Sequence, residues 1–270
     1  MKLDRITFTG ADNSIHPINL AKIATDFVDN SGQTYVEWGI LVSPRTLNGG
    51  RNRYPSLEWI DDLKSYAQNH NLKLSLHICG GWVRNLLLGK IEFPESLLDG
   101  FQRVQLNFHA EKNPCNPYRF IEMMTILEHM TGKKQWIFQI DGALGNKHFE
   151  SVYGNTEHEN VIDAVPLFDT SSGTGISPKE WPKPKYHESG YAYSPPLPIE
   201  WLYHGYAGGL GPDNLQEEII KINEATKTPE DTDCRVWLDM ETKVRSNQDR
   251  LFDLKKVRMV LELCDSYVYK

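Results

Sequence analysis

The chain has 270 residues, of which 40% are hydrophobic, so it is long enough to bury a full core in one barrel or in two small domains. Its 29 basic and 36 acidic residues give a formal net charge of −7, and neither sign forms a long block. This balance argues against a general nucleic-acid or membrane-surface binder.

The four cysteines are widely spaced, with no CxxC pair and no histidines at zinc-ligand intervals. The N-terminus, MKLDRITFTG, lacks the apolar run of a signal peptide, and no segment has the apolar length that crosses a bilayer. We therefore expect a cytoplasmic protein with reduced thiols, no cofactor, no metal and no membrane partner, either a monomer or a homodimer.

Short runs typical of β-strands end in Gly, Asp or Asn and alternate with helix-like stretches, a pattern typical of repeated βα units. The runs lie at 5–10, 36–42, 73–79, 103–109, 135–141, 164–170, 203–209 and 235–241. Eight such strands in a chain of this length predict an α/β fold, a (β/α)₈ TIM barrel that spans residues 1–270 as a single domain.

Helices are predicted between the strands from apolar residues spaced three and four apart, such as Leu57, Ile60 and Leu63. Their ranges are 18–29, 56–70, 82–89, 118–130, a weak one near 155–162, 213–226 and 253–266. Ser56 and Asp213 are predicted N-cap or first-turn residues.

Two loops are longer than a minimal barrel requires. One covers 43–56 after the second strand, and the other covers 176–198 after the sixth and is dense in Pro and Tyr. Both follow the carboxyl ends of strands, where barrel enzymes build their sites. We expect them to form lids or walls over a pocket on that face.

Polar side chains at alternate strand positions are predicted to face the barrel interior. They are Arg5, Thr7, Thr9, Ser75, His77, Cys79, Gln105, Asn107, His109, Gln139, Asp141 and Asp169. The alternative is that many of them only satisfy one another in a polar barrel centre.

Two glycine-containing segments carry the strongest local signals. FDTSSGTG at 168–175 places Asp169 at a strand end, and YAGGLGPDNL at 206–215 leads through Gly208 and Gly209 into a helix start. Glycine lets the backbone approach a ligand, and a helix N-terminus favours an anion, so the second segment predicts a phosphate site. The alternative is a tight turn followed by a cap.

Six segments, in this order, resemble phosphoribosylanthranilate isomerases. The best four are VQLNFHAE (104–111), LFDTSSGTG (167–175), YAGGLGPDNL (206–215) and WLDMETKV (237–244). Upstream, ITFTGADN (6–13) is similar to that family's first strand and loop, and RYPSLEWI (53–60) to the start of its second helix. The resemblance spans nearly the whole chain.

The resemblance implies a (β/α)₈ barrel that opens a phosphoribosylamine ring by an Amadori rearrangement. Asp169 matches the family's general acid, and Thr9 stands where the family has the cysteine that acts as general base. Arg53 best matches the family's substrate-contacting arginine, and we expect Gln105, Asn107, His109 and Asp239 to bind the substrate as well. The expected phosphate-binding residues are Gly173, Thr174, Gly175, Gly208, Gly209 and Lys243, although Lys243 departs from the family, and the alternative is that it is only solvated.

The departure at Thr9 matters because a threonine hydroxyl is a very poor base near neutral pH. Cys79, with His77 two residues earlier on the same strand face, is a candidate replacement base. The alternative is that both residues only pack at the barrel mouth. After the eighth strand, Glu241, Thr242 and Lys243 replace the family's Ser-Ser-Gly.

Three functions follow. The first is an isomerase that acts on a small phosphorylated sugar or nucleotide-like ligand. The second is a catalytically silent barrel that binds or sequesters such a ligand, with Tyr186, Tyr191 and Tyr193 available to stack on a base. The third is a lyase or hydrolase that acts on a phosphorylated sugar in the same pocket.

Overall fold

Eight parallel strands pair in chain order and close into a barrel in the computed structural model, which confirms the predicted fold. The strands are β1 Lys2–Thr9, β2 Val36–Val42, β3 Lys73–Cys79, β4 Arg103–Asn107, β5 Gln135–Ile140, β6 Asp163–Asp169, β7 His204–Ala207 and β8 Arg235–Met240. The structure describes residues 1–44, 46, 52–108, 114–141, 143–156, 162–171, 175–183, 203–227 and 234–268.

Seven helices are described around this barrel: α1 Pro17–Asp26, α2 Leu57–His70, α3 Gly81–Leu87, α4 Pro117–Thr131, α5 Ala143–Thr156, α6 Leu215–Ala225 and α7 Leu254–Cys264. Ser56 caps α2 as predicted, because its side chain accepts a hydrogen bond from the backbone N–H of Trp59. Asp253 caps α7 in the same way. None of the described helices is both long and apolar enough to cross a membrane.

Two local predictions differ from the structure. The weak helix expected near 155–162 is found earlier, as α5, and residues 157–161 lie outside the described part of the chain. Gly145 and Gly154 lower the helix propensity of this segment, because glycine is a poor helix former. The residue that precedes α6 is Asn214, not Asp213, and its side chain accepts from the backbone N–H of Gly211 instead of capping the helix.

Side chains along each strand point alternately towards the helices and into the barrel, so the protein has two separate apolar regions. Trp136 and Phe138 of β5 point outward and join the large core between strands and helices, whereas Ile137 lies in a second cluster inside the barrel. That inner cluster consists of Ile137, Val165, Leu167 and Trp237, which come from β5, β6 and β8. One half of the barrel interior is therefore apolar.

The other half of the interior is polar and centres on Glu37 of β2. Its carboxylate accepts hydrogen bonds of 2.8 Å each from Arg5 Nη1, Thr7 Oγ1 and Arg103 Nη1. The guanidinium of Arg103 also lies over the Trp237 ring, 4.2 Å from its centroid, and so joins the polar half to the apolar half. We call Glu37, Arg5, Thr7 and Arg103 the Glu37 cluster.

Two glycines make room for large interior side chains. A Cβ at Gly39 would overlap the Thr9 hydroxyl and the His77 imidazole, and one at Gly205 would overlap the indole of Trp237. Glycine at these positions therefore lets the interior side chains of neighbouring strands fill the barrel.

Of the two predicted loop insertions, the structure describes 43, 44, 46 and 52–56 of the first and 176–183 of the second. Their predicted role as lids or walls falls mainly on residues outside the described ranges. After β8, a short 3₁₀ turn at Thr242–Val244 leads into a hairpin of β9 Arg245–Ser246 and β10 Leu251–Phe252.

The Glu37 cluster predicts a large effect on stability. Burial by itself raises the pKa of Glu37, but the Arg103 and Arg5 guanidiniums and the Thr7 hydroxyl lower it to about 2. Glu37→Gln leaves two buried guanidiniums without their shared carboxylate, and we expect it to lower the free energy of unfolding in urea by about 3–5 kcal/mol. As a control, Asp26→Asn breaks the exposed ion pair with Arg258 and should cost less than about 1 kcal/mol. Equal effects of the two substitutions would contradict this role.

Candidate active site

A cavity of about 320 Å³ opens at the carboxyl ends of the strands, and we call it the mouth cavity. Most of the residues predicted from the sequence line it: Thr9, Arg53, His77, Gln105, Asn107, Asp169, Gly175, Gly208, Gly209, Asp239 and Lys243. His109, Gly173 and Thr174 lie outside the described residues. Chain positions far apart in sequence therefore converge on one site because every strand ends at the same face.

Cys79 lies elsewhere. It lines a neighbouring cavity of about 540 Å³ together with Pro44, Gly80 and Gly81, and Tyr54 borders both cavities. Desolvation and the nearby Glu241 carboxylate raise the pKa of the Cys79 thiol to about 12, against the opposing effect of hydrogen bonds with Tyr54 and Asn107. The thiol therefore carries its proton near neutral pH, and its predicted role as a base stays a prediction that this geometry does not favour.

His77 is fully buried, and neither of its ring nitrogens has a hydrogen-bond partner among the described residues. Burial lowers the pKa of His77 to about 3, and Arg103 adds to this effect while Glu37 opposes it. The imidazole is therefore neutral, with one N–H donor and one acceptor. The side chain borders the mouth cavity, but both ring nitrogens are buried, and neither hydrogen-bonds the Cys79 thiol.

Asp169 sits at the carboxyl end of β6, as the sequence predicted. Its Oδ2 accepts a hydrogen bond of 2.6 Å from Gln139 Nε2. Its Oδ1 accepts from the backbone N–H and the hydroxyl of Ser171, at 3.0 and 2.9 Å. Three donors therefore fix the orientation of this carboxyl group at the wall of the cavity.

Asp239 lies deeper, near the end of β8, and its Oδ1 accepts a 2.7 Å hydrogen bond from the Thr9 hydroxyl. Burial raises the pKa of Asp239 to about 8. The carboxylates of Glu241, Glu37 and Asp169 raise it as well, whereas the Thr9 hydrogen bond lowers it. Thr9 is thus poorly suited to act as a base but directly orients a buried acid.

The two aspartates lie on either side of one small residue. In the strand register, Asp169 pairs with Ala207, and Ala207 pairs with Asp239. Strands lie roughly 4.8 Å apart, so the two aspartate Cα atoms are on the order of 9 Å apart. Because Ala207 has only a methyl group, the space between the two carboxyl groups belongs to the cavity.

Arg53 is held by carboxylates at the rim of the mouth cavity. Its guanidinium contacts Glu241 and Asp249, and its backbone N–H donates to Asp12 Oδ2 at 2.9 Å. The same Asp12 oxygen accepts from Arg245 Nη2 at 2.8 Å. Arg53 has a φ of 73°, a left-handed conformation that is costly for a residue other than glycine. The backbone and charge of Arg53 are therefore both fixed by its surroundings.

Sequence reasoning missed Asp249, which positions Arg53. Asp249 ends a run of three residues with left-handed φ angles, Asn247, Gln248 and Asp249, at the tip of the hairpin. Asn and Asp tolerate this conformation better than most residues, so the SNQD segment was the available signal. Tyr54 and Ser171 were also missed as cavity residues, although Tyr54 follows Arg53 in RYPSLEWI and Ser171 lies within FDTSSGTG.

The predicted phosphate site lies where the loops after β6 and β7 pack tightly against each other. Gly208 and Gly209 have φ angles of 122° and 64°, and a Cβ at Gly209 would overlap the backbone of Ile176 and Ser177. Asn214 Nδ2 donates to the Gly209 carbonyl oxygen at 2.9 Å and so holds the loop that leads into α6. Glycine is required here because no side chain fits that backbone approach.

No three or more His, Cys, Asp or Glu side chains of the described residues are grouped in a way that could hold a metal ion. The polar groups of the mouth cavity are instead hydrogen-bond donors and acceptors from strand ends. The arrangement can transfer protons to and from a small polar ligand.

No family model and no curated protein matches the sequence. Among solved structures, the truncated 3-deoxy-D-arabino-heptulosonate 7-phosphate synthase of Thermotoga maritima is 8% identical, with a TM-score of 0.50 over 97% of this chain and 84% of that chain. Phosphoribosyl anthranilate isomerase of Thermococcus kodakaraensis is 12% identical, with a TM-score of 0.47 over 96% and 98%. D-Psicose 3-epimerase of Clostridium cellulolyticum H10 is 11% identical, with a TM-score of 0.41 over 99% and 96%.

The similarity with a TM-score of 0.50 agrees with the barrel fold and shows nothing finer, because an identity this low is shared by barrels of unrelated activity. Membership of the isomerase family that the motifs resemble therefore stays a proposal.

The raised pKa of Asp239 makes stability depend on pH. Between about pH 4, where an unfolded aspartate titrates, and about pH 8, the native state holds a proton that the unfolded state has lost. The contribution of Asp239 should therefore lower the free energy of unfolding by about 1.4 kcal/mol for each pH unit of increase in this window. Asp239→Asn should remove this contribution and raise stability at neutral pH, as measured by urea unfolding at several pH values.

Thr9→Val is the matched control for that measurement. It removes the one donor that lowers the pKa of Asp239, so the pH-dependent loss of stability should continue to higher pH than in the wild type. Identical slopes in the wild type and Asp239→Asn would show that Asp239 is not protonated in the native state.

Proposed function

We propose that the protein is an isomerase that acts on a phosphorylated ribose derivative by Amadori-type acid and base chemistry in the mouth cavity. One observation carries this proposal: two carboxyl groups, Asp169 and Asp239, face one cavity from opposite sides of Ala207. An Amadori rearrangement needs one group that protonates the ring oxygen and another that removes the proton from C2, so two groups must flank the sugar.

The size and the polar lining of the cavity support a small sugar phosphate. A volume of about 320 Å³ is at the low end of the range for small-molecule sites. Gln105 and Asn107 line it and carry amide donors and acceptors suited to sugar hydroxyls.

The phosphate would lie at the corner formed by the loops after β6, β7 and β8. Gly175, Gly208 and Gly209 line this corner and present backbone close to the cavity, and Lys243 lines it with a cationic side chain. Helix α6 begins shortly after these glycines, so its N-terminal N–H groups favour an anion on the same side. The ribose would then extend towards Asp169 and Asp239.

The alternative function, a silent barrel that binds such a ligand, is favoured by the state of Arg53. Two carboxylates, Glu241 and Asp249, neutralise its guanidinium, so Arg53 is not open to a ligand in the way that a substrate-contacting arginine requires. Thr9 in the position of the family's cysteine favours the same alternative.

An assay with phosphoribosylanthranilate separates the two functions. The wild type should convert this substrate, and Asp169→Asn should lower kcat/KM by at least about 100-fold, because removal of a general acid or base typically costs that much. Glu217→Gln, on the outer surface of α6, is the control and should keep wild-type turnover. Binding of ribose 5-phosphate without any turnover by the wild type would instead support the silent barrel.

Lys243 should contribute to the binding of the phosphate group and not to the binding of the sugar. Lys243→Met is expected to weaken binding of ribose 5-phosphate by about 10-fold or more, because a charge-assisted hydrogen bond contributes about 1.5–3 kcal/mol. Binding of ribose, which lacks the phosphate, should not change. Calorimetric titration measures both affinities, and Lys255→Met, an exposed change on α7, is the control. An equal loss for both ligands would place the phosphate elsewhere.

A further inference from the structure

Asp169 and Asp239, the two aspartates of the mouth cavity, differ in the number of hydrogen bonds that they accept. Asp169 accepts three hydrogen bonds, from Gln139 Nε2 and from the backbone N–H and hydroxyl of Ser171. Asp239 accepts one, from Thr9 Oγ1, and it accepts it on Oδ1 only. Donors stabilise the charged form of a carboxyl group, so the surroundings of Asp169 suit a carboxylate far better than those of Asp239 do.

The charges around Asp239 point the same way. Glu241 of its own strand end, Glu37 of β2 and Asp169 of β6 are all acidic. His77 of β3 is buried and neutral, so it contributes no positive charge. A further negative charge on Asp239, beside these three acidic groups, is unfavourable.

Arg53 at the rim and Arg103 in the barrel interior are bound to other carboxylates, and Lys243, which also lines the mouth cavity, is exposed. Arg53 forms ion pairs with Glu241 and Asp249, and Arg103 forms one with Glu37. Within the described residues Asp239 forms no ion pair. A buried carboxyl group without a cation keeps its proton, and this agrees with a pKa of about 8 for Asp239.

We infer that Asp239 is the general acid and Asp169 the general base of the proposed reaction. This reverses the role that the resemblance implies for Asp169, and it rests on the proposed function. Environments that hold two carboxyl groups in different protonation states assign the acid to the group that keeps its proton. Thr9 is then a positioning residue, because its hydrogen bond occupies Oδ1 of Asp239 and leaves Oδ2 to carry the proton.

The step balances with these two groups and a ribosylamine phosphate as substrate. The Asp239 O–H bond breaks as its proton goes to the ring oxygen, and the C1–O bond breaks with its electron pair on that oxygen. The lone pair of the amine nitrogen forms C=N with C1. Asp169 then takes the C2 proton, the C2–H pair becomes C1=C2, and the C=N pair returns to nitrogen. The resulting enolamine tautomerises to the aminoketose, and solvent exchange returns each carboxyl group to its first state.

A deuterium isotope effect at C2 distinguishes the acid from the base. The test compares phosphoribosylanthranilate with hydrogen and with deuterium at C2 of the ribose. In Asp169→Asn, the missing base makes C2–H cleavage rate-limiting, so the residual turnover should show a several-fold isotope effect. In Asp239→Asn, the missing acid makes ring opening rate-limiting, and the isotope effect should be close to one.

The reverse pattern in the two variants would overturn the inference while leaving the isomerase proposal intact. If the wild type does not convert the substrate, the proposed function fails, and the assignment of roles fails with it.

An infrared measurement tests the same assignment in variants too slow to assay. At neutral pH, the wild type should show the C=O stretching band of a buried protonated carboxyl group, and this band should disappear above about pH 8. Asp239→Asn should lack the band, whereas Asp169→Asn and the matched control Glu241→Gln should keep it. Loss of the band in Asp169→Asn alone would overturn the inference.

Discussion

The interior of this barrel depends on the ion pairs and hydrogen bonds that the carboxylate of Glu37 forms. This carboxylate is fully buried, and it is tolerated only because Arg5, Thr7 and Arg103 donate to it. Arg103 in turn lies over Trp237, so one ion cluster holds the polar and apolar halves of the interior together.

The same cluster determines the chemistry above it. Arg103 and Arg5 are engaged with Glu37, and Arg53 is engaged with Glu241 at the rim, so among the described residues none of these three guanidiniums forms an ion pair with Asp239. A carboxyl group buried under these conditions holds a proton at neutral pH. Because these arginines form ion pairs with other carboxylates, Asp239 remains a protonated acid in the mouth cavity.

Much of the fold and part of the site could be predicted from local pattern. Strand alternation placed Thr9, Gln105 and Asp169 on the inner face, because a period of two requires no knowledge of neighbours. The contribution of Asp249 could not be found in this way. It lies 196 residues from Arg53 in sequence, and only the hairpin after β8 brings its carboxylate to the guanidinium.

The sequence by itself determined the barrel, the order of its strands and several of the residues at its mouth, since these depend on local periodicity and on the chain order of βα units. Only the tertiary structure decided which of those residues act together. It places Cys79 against a neighbouring cavity, pairs Thr9 with Asp239 and, within the described residues, leaves that aspartate without an ion pair. The reason is physical: a protonation state depends on burial and on every nearby charge, and these are properties of distances between strands that sequence spacing does not contain.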